Sequence, residues 1–323
     1  MTQKISIALA SNKNVGQTLL EALITAGFEI SLVINLHPEH VLANNIAGYQ
    51  DLAPFAKSKG VPVYRPSKYT LKDELDEERI KSYDIDLLIC IGWQRLIPSW
   101  FLKSLSYGSY GMHGSSDFLP NGRGRSPMNW CLIENKKRFI THLIRHDDGV
   151  DSGNIIDYQF FDINIWDDIE SLHYKNTIAE INLLKRNLPR IMEENYCGRQ
   201  QEGEPEYEYP KRTPEHGIID WSQGTMELYN FIRAQTHPFP GAFSYLISND
   251  QNSKVYFWNA QPFDEQLNFE DFEIGQVTMK MYNGDFIVKT IDGSLLVRKY
   301  DIDKFVSIEK GSFFSSDAKS KRR

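Results

Sequence analysis

Along the first hundred residues, short apolar runs alternate with amphipathic or charged stretches. "KISIALAS" reads as a buried strand, and "NVGQTLLEALITAGF" as an amphipathic helix ending at Gly27. A strand "EISLVIN", a short helix "YQDLAPFAKSKG" stopping at Gly60 and a strand-like "VPVYRP" follow. Then come a charged helix, "DELDEERIKSYD", and the strongly apolar strand "DLLICIGW". This spacing predicts βαβ units, and so an α/β fold with a Rossmann-like, mostly parallel sheet. The apolar runs are continuous rather than alternating, as expected of strands covered by helices on both faces.

Beyond residue 138 the pattern changes. In "FITHLIRHDDGVDSGNIIDYQFFDI" two strands flank an acidic, glycine-containing turn, and a long helix, "DDIESLHYKNTIAEINLLKRNLPRIMEE", comes next. The polar, proline-rich "GRQQEGEPEYEYPKRTPEHG" reads as a connection between domains. After it, one helix and several short strands with turn signals predict a smaller C-terminal β-rich domain. The expected organisation is a catalytic domain over 1–200, a β-rich domain over 210–312 and a disordered tail over 313–323.

Composition narrows the class. The 323 residues are 41% hydrophobic and 24% charged, ordinary for a soluble globular protein. Forty-three acidic against 36 basic side chains give a net charge of −7, which disfavours non-specific contact with nucleic acid. No apolar run is long enough to span a bilayer, and the apolar start lacks a small-residue cleavage site. The three cysteines, Cys90, Cys131 and Cys197, form neither an even-numbered framework nor a metal-ligand spacing, so a reduced, cytoplasmic setting is expected. The turn after the first strand holds a single Gly16, with no G-x-G-x-x-G and no P-loop, which argues against a dinucleotide there.

Candidate chemistry collects where strands end. Ligands of doubly wound sheets bind beyond the carboxyl ends of the strands. The exit of "DLLICIGW" and the loop of "GSYGMHGSS" place Gly92–Arg95 and His113 there. The turn holding Asp151 can close on His113 from the following strand pair. An imidazole oriented by a carboxylate is an acid/base pair. His142 and His146 are four apart, but in a strand-like run with no third ligand, so no metal is expected. Arg123 and Arg125, in a glycine-rich loop, are either phosphate ligands or solvated charges. Trp93, Trp130 and Trp221 offer stacking surfaces or core packing.

Residues 84–156 resemble the folate-dependent formyltransferase family, on His113, Ser115, "FLP" at 118–120, "GRGRSP" at 122–127 and "GVDSGNII" at 149–156. The stretch 217–243 is similar to the start of the C-terminal domain in the methionyl-tRNA and amino-sugar branches. The resemblance implies N10-formyltetrahydrofolate as donor, an amine as acceptor, and His113 and Asp151 as the catalytic pair. It also implies that the pterin lies against Gly92, Trp93, Arg95, Leu96 and Ile97. A second wall of that site would be His146, Asp147, Asp148 and Gly149, acting largely through backbone groups.

The chain departs from the family where an Asn precedes the histidine by two residues, because Gly111 stands there. The segment 114–121 is also longer than usual. The expectation is that this segment supplies the missing donor, with Ser115, Ser116 and Asn121 as candidates. A nucleotide-linked amino sugar is the leading acceptor. Methionyl-tRNA is second, and an inactive binding protein of the same fold third. Residues 190–323 carry 16 Lys and Arg against 21 Asp and Glu, a net of −5, which weighs against tRNA. A homodimer is a possibility that no periodicity decides.

Overall fold

The structure is a computed structural model, which describes residues 5–40, 46, 48–247, 252–267, 269–302 and 306–319. Two compact units form. One comprises Met1–Pro127, Arg138–Asp162 and Tyr174–Tyr209, the other Met128–Lys137, Ile163–His173 and Pro210–Arg323.

The first unit is built on a seven-stranded sheet. Its strands are β1 (Ile7–Ala10), β2 (Ile30–Ile34), β3 (Val63–Tyr64), β4 (Leu87–Cys90), β5 (Gly108–Ser115), β7 (Arg138–Arg145) and β8 (Ile155–Asp162), in the order β3-β2-β1-β4-β5-β7-β8. The first five pair in parallel, while β7 pairs antiparallel with both β5 and β8. The connecting helices are α1 (Asn14–Thr25), α2 (Ala53–Ser58), α3 (Glu74–Lys81) and α4 (Ser99–Ser104).

The central strands β1, β2 and β4 are buried on both faces, which is why their sequences are almost wholly apolar, whereas β5 is rich in Gly and Ser. Ile7, Leu9, Ile89 and Tyr110 join Leu19, Leu20 and Leu23 of α1 in one core. Leu183 and Leu184 of the long helix α6 (Ile169–Glu194) belong to it too. The alternate residues Ala8, Ala10, Leu88 and Cys90 face the other way, with Ile80 of α3 and Phe101 of α4. Burial pushes the Cys90 thiol up to about 12, so it is an inert core thiol. Helix α3 starts where Asp73 accepts from the Leu75 amide, and acidic first-turn and basic last-turn residues match the helix dipole.

The proline-rich stretch is more than a connection. Its residues Glu208–Tyr209 (β9) pair in parallel with Arg123–Gly124 (β6), inside the first unit.

The second unit contains α5 (Pro127–Ile133), α7 (Thr225–Arg233) and a six-stranded antiparallel sheet. The strands are β10 (Ala242–Leu246), β11 (Ser253–Asp264), β12 (Val277–Lys280), β13 (Phe286–Lys289), β14 (Ser294–Asp301) and β15 (Phe314–Ser315). Their core holds Trp221, Phe257, Phe286 and Phe314. Here the expected tail at 313–323 is corrected. Phe314 is buried against these aromatics and Ser315 pairs with Tyr245 of β10; residues 320–323 lie outside the described residues. A single aromatic pair in a polar stretch is too short to show a period, but two aromatics are enough to anchor a strand. No helix among the described residues is long and apolar enough to cross a membrane.

Candidate active site

Strand β5 carries the site on one face. Alternate residues share a face, so Ser109, Gly111, His113 and Ser115 form a row. His142 of β7 pairs with His113, and Tyr158 of β8 pairs with His142, which extends the row across three strands.

The His113 ring is buried and held from both sides. Nδ1 lies 3.2 Å from Asp151 Oδ2, and Nε2 donates to the Gly122 carbonyl at 3.0 Å. Both partners are hydrogen-bond acceptors. Its neighbour His142 is fully buried, and neither ring nitrogen has a hydrogen-bond partner. Burial, then the adjacent His113, push His142 down to about 4. It is a neutral wall beside His113, with Phe118 edge-on at 5.9 Å.

The pair does not meet by simple convergence at the sheet's carboxyl edge. Strand β7 is antiparallel, so it ends beside Ser109, where the His146 amide donates to the Ser109 carbonyl at 2.8 Å. The turn after it reaches His113 by folding back over the face of β5. Several bonds hold that turn. Asp147 Oδ1 accepts from the Gly149 amide at 3.0 Å and from Ser152 Oγ at 2.7 Å. Asp151 sits in the left-handed region at φ 52°, a conformation that surrounding structure must enforce in a non-glycine residue.

Gln201 supplies the enforcement. Its Nε2 donates to the carbonyls of Asp151 and Gly153, each at 2.8 Å. Its Oε1 accepts from Arg123 Nε at 3.2 Å and Nη2 at 2.7 Å. The Arg123 guanidinium is thus engaged inside the protein through Gln201, as a support for the Asp151 turn. Arg125 remains exposed, tied only by its amide, which donates to the Tyr209 carbonyl.

The lengthened segment 114–121 does not present its donors to the site. Ser115 is fully buried, and its Oγ accepts from the Asp117 amide at 3.3 Å. Ser116 Oγ lies 3.3 Å from the Tyr207 hydroxyl and 3.4 Å from that of Tyr209. Asn121 Oδ1 accepts from the Glu206 amide at 2.9 Å. Ser116 and Asn121 stitch the loop to residues 206–209, while Ser115 bonds within the loop itself.

The two loops expected to hold the pterin are tied together, since Ser99 Oγ donates to Asp148 Oδ1 at 2.5 Å. Gly92 turns the first loop at φ 74°, and an added Cβ would press on Ser11 Oγ at 3.1 Å and Lys13 Cβ at 3.2 Å. Trp93 packs edge-on against Tyr69 at 5.0 Å, and its Nε1 is buried without a partner. The Arg95 guanidinium covers the other side of Tyr69 at 4.7 Å. Ile97 is buried in the core with Phe101 and Leu105, so its side chain is not available to a ligand there. Leu96 is 53% exposed and Val150, on the second loop, is 60% exposed.

A second charged group lies on the opposite face of the sheet and was not foreseen from the sequence. Glu180 of α6 is buried; Asn176 Nδ2 donates to its Oε1 at 2.8 Å, while Oε2 has no partner. Burial raises Glu180 to about 8, opposed by Asn176 and by Lys13. Lys13 is itself pushed down, mainly by burial, and feels both Glu180 and Arg125. The folded chain therefore keeps a proton on Glu180 that the unfolded chain releases above its usual 4.5. Stability contributed this way is present below pH 4.5 and falls as pH rises towards about 8. Glu180→Gln is expected to flatten that decline. Urea midpoints at several pH values would check it, and parallel profiles for wild type and variant would contradict it.

Comparison with known proteins follows the same outline. A family profile described as "Formyl transferase" matches residues 3–188, and one described as "Formyl transferase, C-terminal domain" matches 211–315. The bifunctional polymyxin resistance protein ArnA of Wigglesworthia glossinidia brevipalpis is 29% identical over 259 residues. That match covers 80% of this chain but 37% of the relative, so the chain spans little more than a third of that protein. Among solved structures, HypX from Aquifex aeolicus in complex with tetrahydrofolic acid aligns with a TM-score of 0.66 at 19% identity, covering 96% of this chain and 46% of that one. An N-formyltransferase from Helicobacter canadensis, crystallised with folinic acid and dTDP-3-aminofucose, aligns with a TM-score of 0.62 at 19% identity. It is covered over its full length, by 92% of this chain.

Proposed function

The chain belongs to the formyl transferase family, and on that footing we propose that it transfers a formyl group from N10-formyltetrahydrofolate to the primary amine of a nucleotide-linked amino sugar. The observation that carries the reading is the buried His113 ring in contact with Asp151 on a clamped turn.

The residues present fit the folate. Leu96 and Val150 offer exposed apolar surface on two loops joined by Ser99 and Asp148, suited to a flat bicyclic ring. Trp93 Nε1 is a buried donor without a partner beside the first loop. When bound, the donor supplies an electrophilic formyl carbon. His113 then directs an N–H at the formyl oxygen, where negative charge develops as the amine attacks. Asp151 fixes the ring through Nδ1, takes up the proton lost by the amine and returns it to the donor's nitrogen as the bond from that nitrogen to the formyl carbon breaks. The nucleotide's phosphates find a cation in the exposed Arg125.

The choice of acceptor rests on charge and on likeness. The net −5 of residues 190–323 is unfavourable for a tRNA-holding surface. The Helicobacter structure holds a nucleotide-linked amino sugar. The test is a panel of nucleotide-linked amino sugars and methionyl-tRNA, each offered with the donor, with formamide products read by mass spectrometry. Transfer to at least one amino sugar and none to methionyl-tRNA is expected. The reverse pattern would replace this reading with a methionyl-tRNA formyltransferase, and no transfer to any amine would favour an inactive binding protein.

A further inference from the structure

We propose that the His146 imidazole occupies the side-chain space left open at Gly111 and directs its Nε2–H at the formyl oxygen, as a second catalytic donor beside His113. The proposal rests on the formyl-transfer reading above.

The space is a matter of geometry. A Cβ added to Gly111 would lie 2.3 Å from His146 Nε2 and 2.5 Å from Cε1, so the ring stands where any side chain at 111 would begin. Only glycine admits it. Gly111 and His113 share a face of β5 at neighbouring positions, about 6.6 Å apart along the strand. Rings over neighbouring positions of one strand face can direct N–H groups at a single oxygen.

The ring is also held through its other nitrogen. Its Nδ1 lies 2.8 Å from the hydroxyl of Ser109, which is buried. Burial pushes His146 down to about 4, against the pull of Asp151 and then Asp147, so the imidazole carries one hydrogen at neutral pH. When the Ser109 hydroxyl donates to Nδ1, that nitrogen is bare and the hydrogen sits on Nε2, which is the arrangement the proposal requires. Nε2 has no hydrogen-bond partner among the described residues. The pull of Asp151 on His146 also places the ring beside the carboxylate that orients His113.

Two experiments decide the matter. Nitrogen-15 NMR of the unliganded wild type should find His146 in the Nε2–H tautomer, and Ser109→Ala should shift it towards a mixture. In turnover, His146→Ala should lower kcat by about a hundredfold with donor affinity changed less than about threefold, because the contact matters mainly in the transition state. Gly111→Asn alone should destabilise the protein by colliding with the ring. The double variant Gly111→Asn/His146→Ala should recover both stability and at least about tenfold of the lost turnover. An Nδ1–H tautomer in the wild type, or near-normal kcat in His146→Ala, would overturn the proposal. A wild type inactive with every amine would instead defeat the formyl-transfer reading, and the tautomer would still report whether the ring is set as described.

Discussion

Replacing His113 with alanine is expected to lower formyl transfer by about a thousandfold or more while the protein still folds and binds folate. The ring is one of the few titratable groups on this face of β5, and its two contacts, Asp151 Oδ2 and the Gly122 carbonyl, are both acceptors. Removing it takes away an N–H positioned for developing negative charge and leaves Asp151 with nothing to orient. Asp151→Asn should give a loss of similar order, since an amide retains the shape but neither accepts the amine's proton nor stabilises a charged ring. Folate titration and thermal melts alongside turnover separate chemistry from folding. Near-normal turnover in either variant would reassign the catalytic pair.

Gly153→Ala is expected to be the most damaging change outside the reacting groups. An added Cβ would sit 1.7 Å from the Arg145 carbonyl oxygen and 2.8 Å from its carbon. That obstacle is backbone in β7 and cannot rotate away. The turn must therefore move off the end of the strand, which breaks the geometry in which Gln201 grips the carbonyls of Asp151 and Gly153. Overpacking of this kind typically costs about 1–3 kcal/mol. Displacement of Asp151 from His113 should add a loss of about a hundredfold in turnover, in line with misplacement of a catalytic group by about an ångström. Denaturant unfolding and single-turnover kinetics check both parts. An alanine variant of wild-type stability would show that the turn is looser than described.

Legibility in the sequence followed the length of each periodic signal. The strands of the parallel sheet and helices α1 and α6 could be read because burial on two faces, or one, writes a long apolar pattern. The pairing of β6 with β9 could not be read, because two residues per strand carry no period and a glutamate and a glycine are among them. That invisible pairing brings residues 201–209 over the His113 loop, and with them Gln201, Tyr207 and Tyr209. The internal partners of Arg123, Ser116 and Asn121 could not be read for the same reason, since they lie about 80 residues away or more. His113 and Asp151 were legible through the family pattern and not through spacing. The antiparallel turn of β7 puts them together by a route that a simple parallel sheet edge does not suggest. Gly111 was recognised as a departure, but its meaning depended on where the His146 ring lies, which no local pattern encodes.

The central claim is that formyl donor and amine meet at His113 on the covered face of β5. A crystal structure with the non-transferring donor folinic acid and a nucleotide-linked amino sugar tests it most directly. The expected result has the pterin between Leu96 and Val150, and the formyl oxygen and the sugar amine both within about 3.5 Å of the His113–Asp151 pair. Folate bound elsewhere, or an amine held out of reach of that pair with both ligands present, would contradict it.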